Sequence, residues 1–494
     1  MLDVSTEEIT EGRLGRALAF LSIPIVAQQL AVVAQSVVDV LWLGRLSGEA
    51  VAAVGLVAPL IGLMTAVTGG VFTGEHVLVS QRVGEGDERG ASRAVFHALV
   101  AAVAVMLAMV AITGVFGRQL TSLFDPGPEV VALGAVYLAT MAIAYTVSAV
   151  SDVFEYGFIG AGDSRTPLFV NLLSIGISVG LDPILIFGFV DNPLFGMLGL
   201  GGLESSLYAA TGYAGSGIAG AAYATAVGFG VGALVMIAAA LSSRRGFTFH
   251  LDAAGLDLDE FRELVEVGAP KAGQSAARQV ARLIVVAIVS FAGGAAALTA
   301  YTVGARIATV VFVPAAAIGS AGTTLVGQNL GADRPDRATR ATWLGVGVGT
   351  VGLGSLGIVQ YLVPELIATA FVPGIGGEAL TLTVAYLQIL AFGYWALGAI
   401  WTVEAGFNGA GRTDVSMYST MLQYWAVRVP VAAVGAYVLG WGALGPFWAI
   451  TASNVVAAVG LVGYFRYSTG RGLHERAAED AGGDAGDGAT AADD

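Results

Sequence analysis

Two carboxylates lie in stretches that offer their charge nothing. Asp39 sits in "QSVVDVLWLG" (35–44) and Asp182 in "SVGLDPILIF" (178–187), each inside an apolar run. An isolated, ionised carboxylate buried in hydrocarbon costs several kcal/mol, so such a residue is a functional candidate by default. Gln35 precedes Asp39 by four residues, and Ser178 precedes Asp182 by four. On a helix that spacing puts each on the same face as its acid. Thr225 in "GAAYATAVG" adds a hydroxyl. Two acids with amide and hydroxyl neighbours can take up a proton, or ligate a sodium ion through oxygen; the residue types leave both open. The competing readings are structural. Asp182 precedes Pro183 and could cap a broken helix or pair with an arginine, and Gln35, Ser178 and Thr225 could simply hydrogen-bond between helices.

Cations in apolar runs are the second group. Arg278 and Arg282 share a helix face and could line a cavity in the second half of the chain. Arg428 is deep in an apolar segment and is expected to find a carboxylate or backbone carbonyls. Glu155 and Glu404 are expected to be structural, bridged to loop arginines, and Glu75 and His76 to lie near a membrane interface. The chain has no cysteine, and His76, His97, His250 and His474 are scattered. Neither a metal site nor a nucleophile–base set is expected, so the chain is read as no enzyme and as needing no cofactor. Basic patches for nucleic acid are absent.

The elements that hold these residues follow from composition. Of 494 residues 56% are hydrophobic and 12% charged, against about 25% charged in soluble domains. Apolar runs long enough to cross a ~30 Å hydrocarbon layer recur throughout. Hydropathy and turn residues predict twelve transmembrane helices, near 16–43, 50–78, 93–116, 130–155, 167–189, 216–241, 261–291, 296–326, 339–363, 378–404, 414–438 and 443–465. The first run is too long, and too polar at Gln28, Gln29 and Asp39, for a signal peptide. With the N-terminus inside, external segments hold only Arg45 and Arg118. Arg82, Arg89, Arg93, Arg244, Arg245, Arg334, Arg337 and Arg340 fall on the cytoplasmic side. That bias predicts cytoplasmic N- and C-termini.

The chain also repeats itself. "VSQRVGEGD" (79–87) matches "VGQNLGADR" (326–334), "GFIGAG" (157–162) matches "GFNGAG" (406–411), and Pro24 and Gln28 match Pro270 and Gln274. The near-constant offset of 246 to 249 residues predicts two six-helix bundles of the same orientation, with a substrate path between them. The expected organisation is a cytoplasmic segment 1–15, an N-terminal lobe 16–241, a linker 242–260, a C-terminal lobe 261–465 and an acidic disordered tail 466–494. Residues 190–215 form an external insertion to which no role attaches. Under the 246 offset Asp39 falls on Val285, so the repeat itself does not demand the acid. Asp182 lies about 22 Å along its helix at ~1.5 Å per residue. Asp39 lies just before the external loop, so one pocket in the outer half of the N-lobe could hold both.

The Pro24–Asp39 segment, "VSQRVGEGD", "GAGDSRTPL", "LDPILIF", "GIAGAAYAT", "VGQNLGA" and "VRVP", in that order over residues 12 to 470, resemble the multidrug and toxic compound extrusion (MATE) family. The Asp39/Asp182 pair resembles the DinF-like branch, in which such a pair is implicated in cation coupling. The NorM-like branch has an acid where this chain has Arg278. Ser178 and Gln35 depart from the Asn and Tyr that the DinF-like resemblance implies at those positions. The resemblance implies a V-shaped, all-α plasma-membrane antiporter that exports organic, often cationic, amphiphiles in exchange for H⁺ or Na⁺, acting as a monomer. A lipid-precursor flippase of the same superfamily is the alternative; it should line its cleft with several cations. The net charge of −14 and the single lysine, Lys271, suggest a halophilic archaeal source.

Overall fold

The computed structural model describes residues 6–122, 127–242, 247–372 and 375–479; Arg244, Arg245 and the end of the acidic tail lie outside them. The first lobe is built from α1 (Leu14–Leu46), α2 (Gly48–Glu85), α3 (Glu88–Ser122), α4 (Pro128–Gly160), α5 (Arg165–Phe187) and α6 (Ile218–Leu241). The second begins with α7 (Leu258–Gly294) and α8 (Ala296–Gly331), separated at Gly294, whose φ of 62° favours glycine at the turn. Then come α9 (Pro335–Leu362), a bent α10 (Gly377–Ala391 and Tyr394–Gly409, 47° apart), α11 (413–438) and α12 (Leu444–Thr469). Ten of these helices are singly long and apolar enough to span a bilayer, and the bent pair makes an eleventh. The twelfth, α11, is helical throughout but passes through π-helical stretches at Leu422–Arg428 and Val434–Val438. The expected all-α, two-lobe transmembrane architecture is the one observed.

Prolines inside helices do not break them here. α1 runs unbroken through Pro24 and α5 through Pro183. Near the C-terminal end of α5, Asn192 Nδ2 donates to the Pro183 and Gly188 carbonyls at 2.8 and 2.7 Å. That asparagine opens the 190–215 insertion, which folds into two short helices, Pro193–Leu198 and Gly201–Thr211.

Small residues set the helix spacing inside the N-lobe. A Cβ added at Gly220 or Gly228 would overlap the carbonyls of Leu185 or Ser174, so α5 and α6 touch backbone to backbone.

The lobes meet on the arginine-rich side, and the contact obeys the repeat. Gln81 Nε2 donates to the Gly409 carbonyl at 3.0 Å, and its counterpart Gln328 Nε2 donates to the Gly160 carbonyl at 2.8 Å. A Cβ at Gly84 would strike the Gln328 backbone, and one at its counterpart Gly331 would strike that of Gln81. Ion pairs tie the same ends: Arg82 to Glu260 and Glu263, both at 2.7 Å, and Arg334 to Glu11 at 2.6 Å. The V is therefore pinned at its arginine-rich end. Glu75 and His76 belong to this region and correct the interfacial expectation. Glu75 is fully buried, and His76 Nε2 lies 2.8 Å from Thr324 Oγ1 of α8. Helix packing, which hydropathy does not record, encloses them: α8 of the other lobe beside His76, and α4 of the same lobe beside Glu75.

Candidate functional site

In the N-lobe, α1 and α5 bring the two acids together. The carboxyl groups of Asp39 and Asp182 lie within hydrogen-bonding reach of each other. Gln35 Nε2 donates to Ser178 Oγ at 3.1 Å one turn away, which fixes the register of the two helices beside the acids. Asp182 is fully buried and Asp39 half-buried. Both oxygens of Asp182 and Oδ1 of Asp39 are buried with no donor. Ionised carboxylates only accept hydrogen bonds, so two of them hold each other only through a proton or a cation. No arginine pairs with either among the described residues. Thr225, on α6, is buried one turn before Gly228, which packs on Ser174 and Ser178, but no hydrogen bond joins it to the acids.

Below this pair the acids continue. Tyr137 lies within electrostatic reach of Asp39 and Asp182, and Tyr145 of Asp39 and Asp152. Asp152, which sequence reasoning missed, in turn faces Glu155 and Glu75. Its signal was present: an acid three residues before Glu155 in an apolar run shares that residue's face. Both oxygens of Glu75 are buried without a donor.

Glu155 and Glu404 differ from expectation. They bridge to membrane-embedded amides, not to loop arginines. Glu155 accepts from Gln28 Nε2 and from Asn171 Nδ2 at 2.7 Å. Glu404 accepts from Gln274 Nε2 at 3.0 Å and lies 3.9 Å from Lys271 Nζ. Gln28 and Gln274 are repeat partners, so each lobe joins its first and fourth helices by the same Gln–Glu pair. The loop arginines are out of reach because both acids sit a turn or more inside their helices.

The C-lobe holds a cavity of 410 Å³ between α7, α8, α10, α11 and α12, lined by Arg278, Arg282, Arg428 and aromatic residues. Arg428 corrects a second expectation. It finds neither a carboxylate nor a main-chain carbonyl: Nε donates to Ser453 Oγ at 2.8 Å, Nη2 to Asn454 Oδ1 at 2.6 Å, and the guanidinium lies 3.9 Å from the centre of the Tyr424 ring. Side chains of α12 supply what the sequence of α11 cannot.

The MatE family model matches residues 24–184 and 270–464, one stretch in each lobe. The probable multidrug resistance protein YoeA of Bacillus subtilis is 23% identical over 94% of this chain and 96% of its own length. An FAD transporter of Shewanella oneidensis is 24% identical over 86% of this chain and 89% of its own. A multidrug resistance MATE family transporter of the MOP superfamily, solved in an outward-facing conformation, superposes with a TM-score of 0.83 at 20% identity, covering 94% of this chain and 98% of that one.

Proposed function

Because the chain belongs to the MatE family of transmembrane multidrug-efflux transporters, which are not enzymes, we propose that it is a secondary active antiporter. It exports small organic compounds in exchange for H⁺ or Na⁺, and Asp39 and Asp182 bind the coupling ion. The observation that carries this is the facing pair of carboxyls whose buried oxygens no donor reaches. Such a site can accept one cation. Loading it from outside removes the repulsion between α1 and α5 and changes how α1 packs. Asp152, Glu155 and Glu75 continue the acidic line toward the arginine-rich side and offer a route for release. Gln35 and Ser178 hold the two helices in register, and Thr225 is a reserve oxygen ligand for Na⁺.

The acid pair supports the DinF-like branch, and the acidic, lysine-poor composition supports a halophilic archaeal source. The arginine-rich side is the cytoplasmic one, with both termini there, in the plasma membrane. The protein works as a monomer, since each chain carries both lobes and the cleft. A membrane potential contributes ~2.3 kcal/mol per charge per 100 mV, enough for one or two ions to drive export. A second reading, a flippase for a lipid-linked precursor, gains support from Arg428 joining Arg278 and Arg282 in the cleft.

The test is transport in reconstituted vesicles, with a pH or a Na⁺ gradient imposed separately. Asp39→Asn and Asp182→Asn should each lower gradient-driven flux roughly 5- to 150-fold, the range of a lost coupling interaction, without lowering the melting temperature. Unimpaired driven flux in the double variant would end this reading.

A further inference from the structure

The antiporter reading leaves the chemistry of the cargo open, and the C-lobe cavity speaks to it. Three guanidinium groups from two helices converge there: Arg278 and Arg282 from α7, and Arg428 from α11. All three lie within electrostatic reach of the Tyr424 ring. No carboxylate pairs with any of them among the described residues. Glu404, the one acid in the lining, is taken up by Gln274 and Lys271. Arg278 and Arg282 have no hydrogen-bond partner among the described residues, whereas Arg428 is held in place by Ser453 and Asn454.

The fold does not require these cations. Under the repeat offset Arg278 and Arg282 fall on Val32 and Ser36. Pro430 matches Pro183, which puts Arg428 opposite Leu181. Three like charges gathered in a membrane-embedded cavity repel one another, and they repel a cationic ligand equally. An anion brought in by the ligand offsets that repulsion, and the guanidinium fork matches carboxylate and phosphate oxygens two at a time. The walls are aromatic: Arg278 lies 6.0 Å from the Trp401 ring, and Tyr386 stacks on Tyr301 with centroids 5.8 Å apart. The cavity size suits a compact ring system.

We infer that this cavity binds an organic anion in which a phosphate or carboxylate is carried by an aromatic ring system, in place of the organic cation that the family resemblance implies. This rests on the transporter reading but not on the coupling role of the acids. Export of such an anion from an inside-negative cell runs with the membrane potential, which lightens the load on the coupling ion.

The experiment measures binding to the purified full-length protein by ligand fluorescence. The probes are flavin mononucleotide, riboflavin (the same ring without the phosphate) and ethidium (an aromatic cation). Flavin mononucleotide should bind at least about tenfold more tightly than riboflavin, as a charge-assisted pair predicts. Raising the NaCl concentration should shrink that difference. The double variant Arg278→Gln/Arg282→Gln should lose about tenfold or more in affinity for flavin mononucleotide and stay within about twofold for riboflavin. Arg282→Lys should keep part of the preference, a rescue that a merely structural role would not show.

Equal affinity for the two flavins, or tighter binding of ethidium than of flavin mononucleotide, overturns the inference. Displacement by a polyprenyl phosphate with phenyl phosphate inert overturns its aromatic half and assigns the arginines to a lipid headgroup. Displacement by phenyl phosphate alone supports a water-soluble cargo. Vesicle flux of Asp39→Asn tests ion coupling and flavin binding to the wild-type protein tests the anion site, so a failure of the one and a failure of the other are read by separate measurements.

Discussion

Between α1 and α5 of the N-lobe, Asp39 meets Asp182, and Asp152, Glu155 and Glu75 follow within the same bundle. On the repeat-related α7 of the C-lobe, the position of Asp39 is Val285, 1% exposed in the apolar core, while Arg278 and Arg282 face the cavity together with Arg428 of α11. The backbone plan is shared down to the Gln28–Glu155 and Gln274–Glu404 pairs and the Gln81 and Gln328 contacts between lobes. What the repeat keeps is helix-to-helix attachment. What it changes is the sign of the interior charge. Shared features answer to packing, which both halves need; the divergent ones are those to which the proposals above assign ligands.

The contrast can be attacked by swapping its parts. The largest effect is expected from Val285→Asp, which copies the N-lobe acid into the C-lobe. The site there is a packed apolar core with no hydrogen-bonding neighbour, so the variant should lose about 3 kcal/mol of stability. Thermal unfolding in detergent reads this, and a wild-type melting curve would mean that the C-lobe interior is already polar enough for an acid.

Next comes a matched pair. Glu404→Gln strips Lys271 of its carboxylate and should cost about 2 kcal/mol. Glu155→Gln keeps Gln28 and Asn171 as amide neighbours, strips no buried cation of its partner and relieves repulsion with Asp152, so it should cost under about 1 kcal/mol. Equal losses would show that the Lys271–Glu404 contact adds nothing.

Gly84→Ala and Gly331→Ala probe the symmetric part. Each pushes a methyl group against the backbone of the other lobe, at a cost of about 1 kcal/mol or more to the pinned state. The two should open the arginine-rich side to the same extent. Because the chain has no cysteine, a spin-labelled cysteine pair, one in each lobe, reports that distance without background. Unequal opening would break the symmetry argument. The smallest effect is expected from Gln35→Ala, which removes one interhelical hydrogen bond worth about 0.6 kcal/mol; it should shift melting slightly, and gradient-driven flux far less than Asp39→Asn does.

Much of this organisation is legible in the sequence because it is local or repetitive. Hydropathy sums over a single helix, so each span can be located within a few residues without knowing its neighbours. Fixed offsets between "VSQRVGEGD" and "VGQNLGADR" reveal the two lobes, and the i, i+4 spacing of Gln35 with Asp39 and of Ser178 with Asp182 puts each pair on one face. The misreadings share a cause. Glu75 lies toward a helix end along the chain, but α4 of its own lobe packs over it at Gly157 and Asp152. Arg428 is expected from the sequence to meet a carboxylate or backbone carbonyls, and two side chains of α12 do that work instead. Asp152 drew no attention although its three-residue spacing to Glu155 marks it; Glu75, on another helix, comes within its reach only in the packed lobe.

The amino-acid sequence by itself determined the membrane class, the apolar helices, the doubled architecture and the presence of two acids inside apolar runs. These depend on the free energy of each segment in lipid, which a residue carries with it wherever it packs. Tertiary structure alone decided which faces meet: that Asp39 reaches Asp182, that the acids continue inward, and that three arginines from two helices surround one cavity. Electrostatic energy varies with distance between side chains far apart in the chain, and only the packed bundle sets those distances.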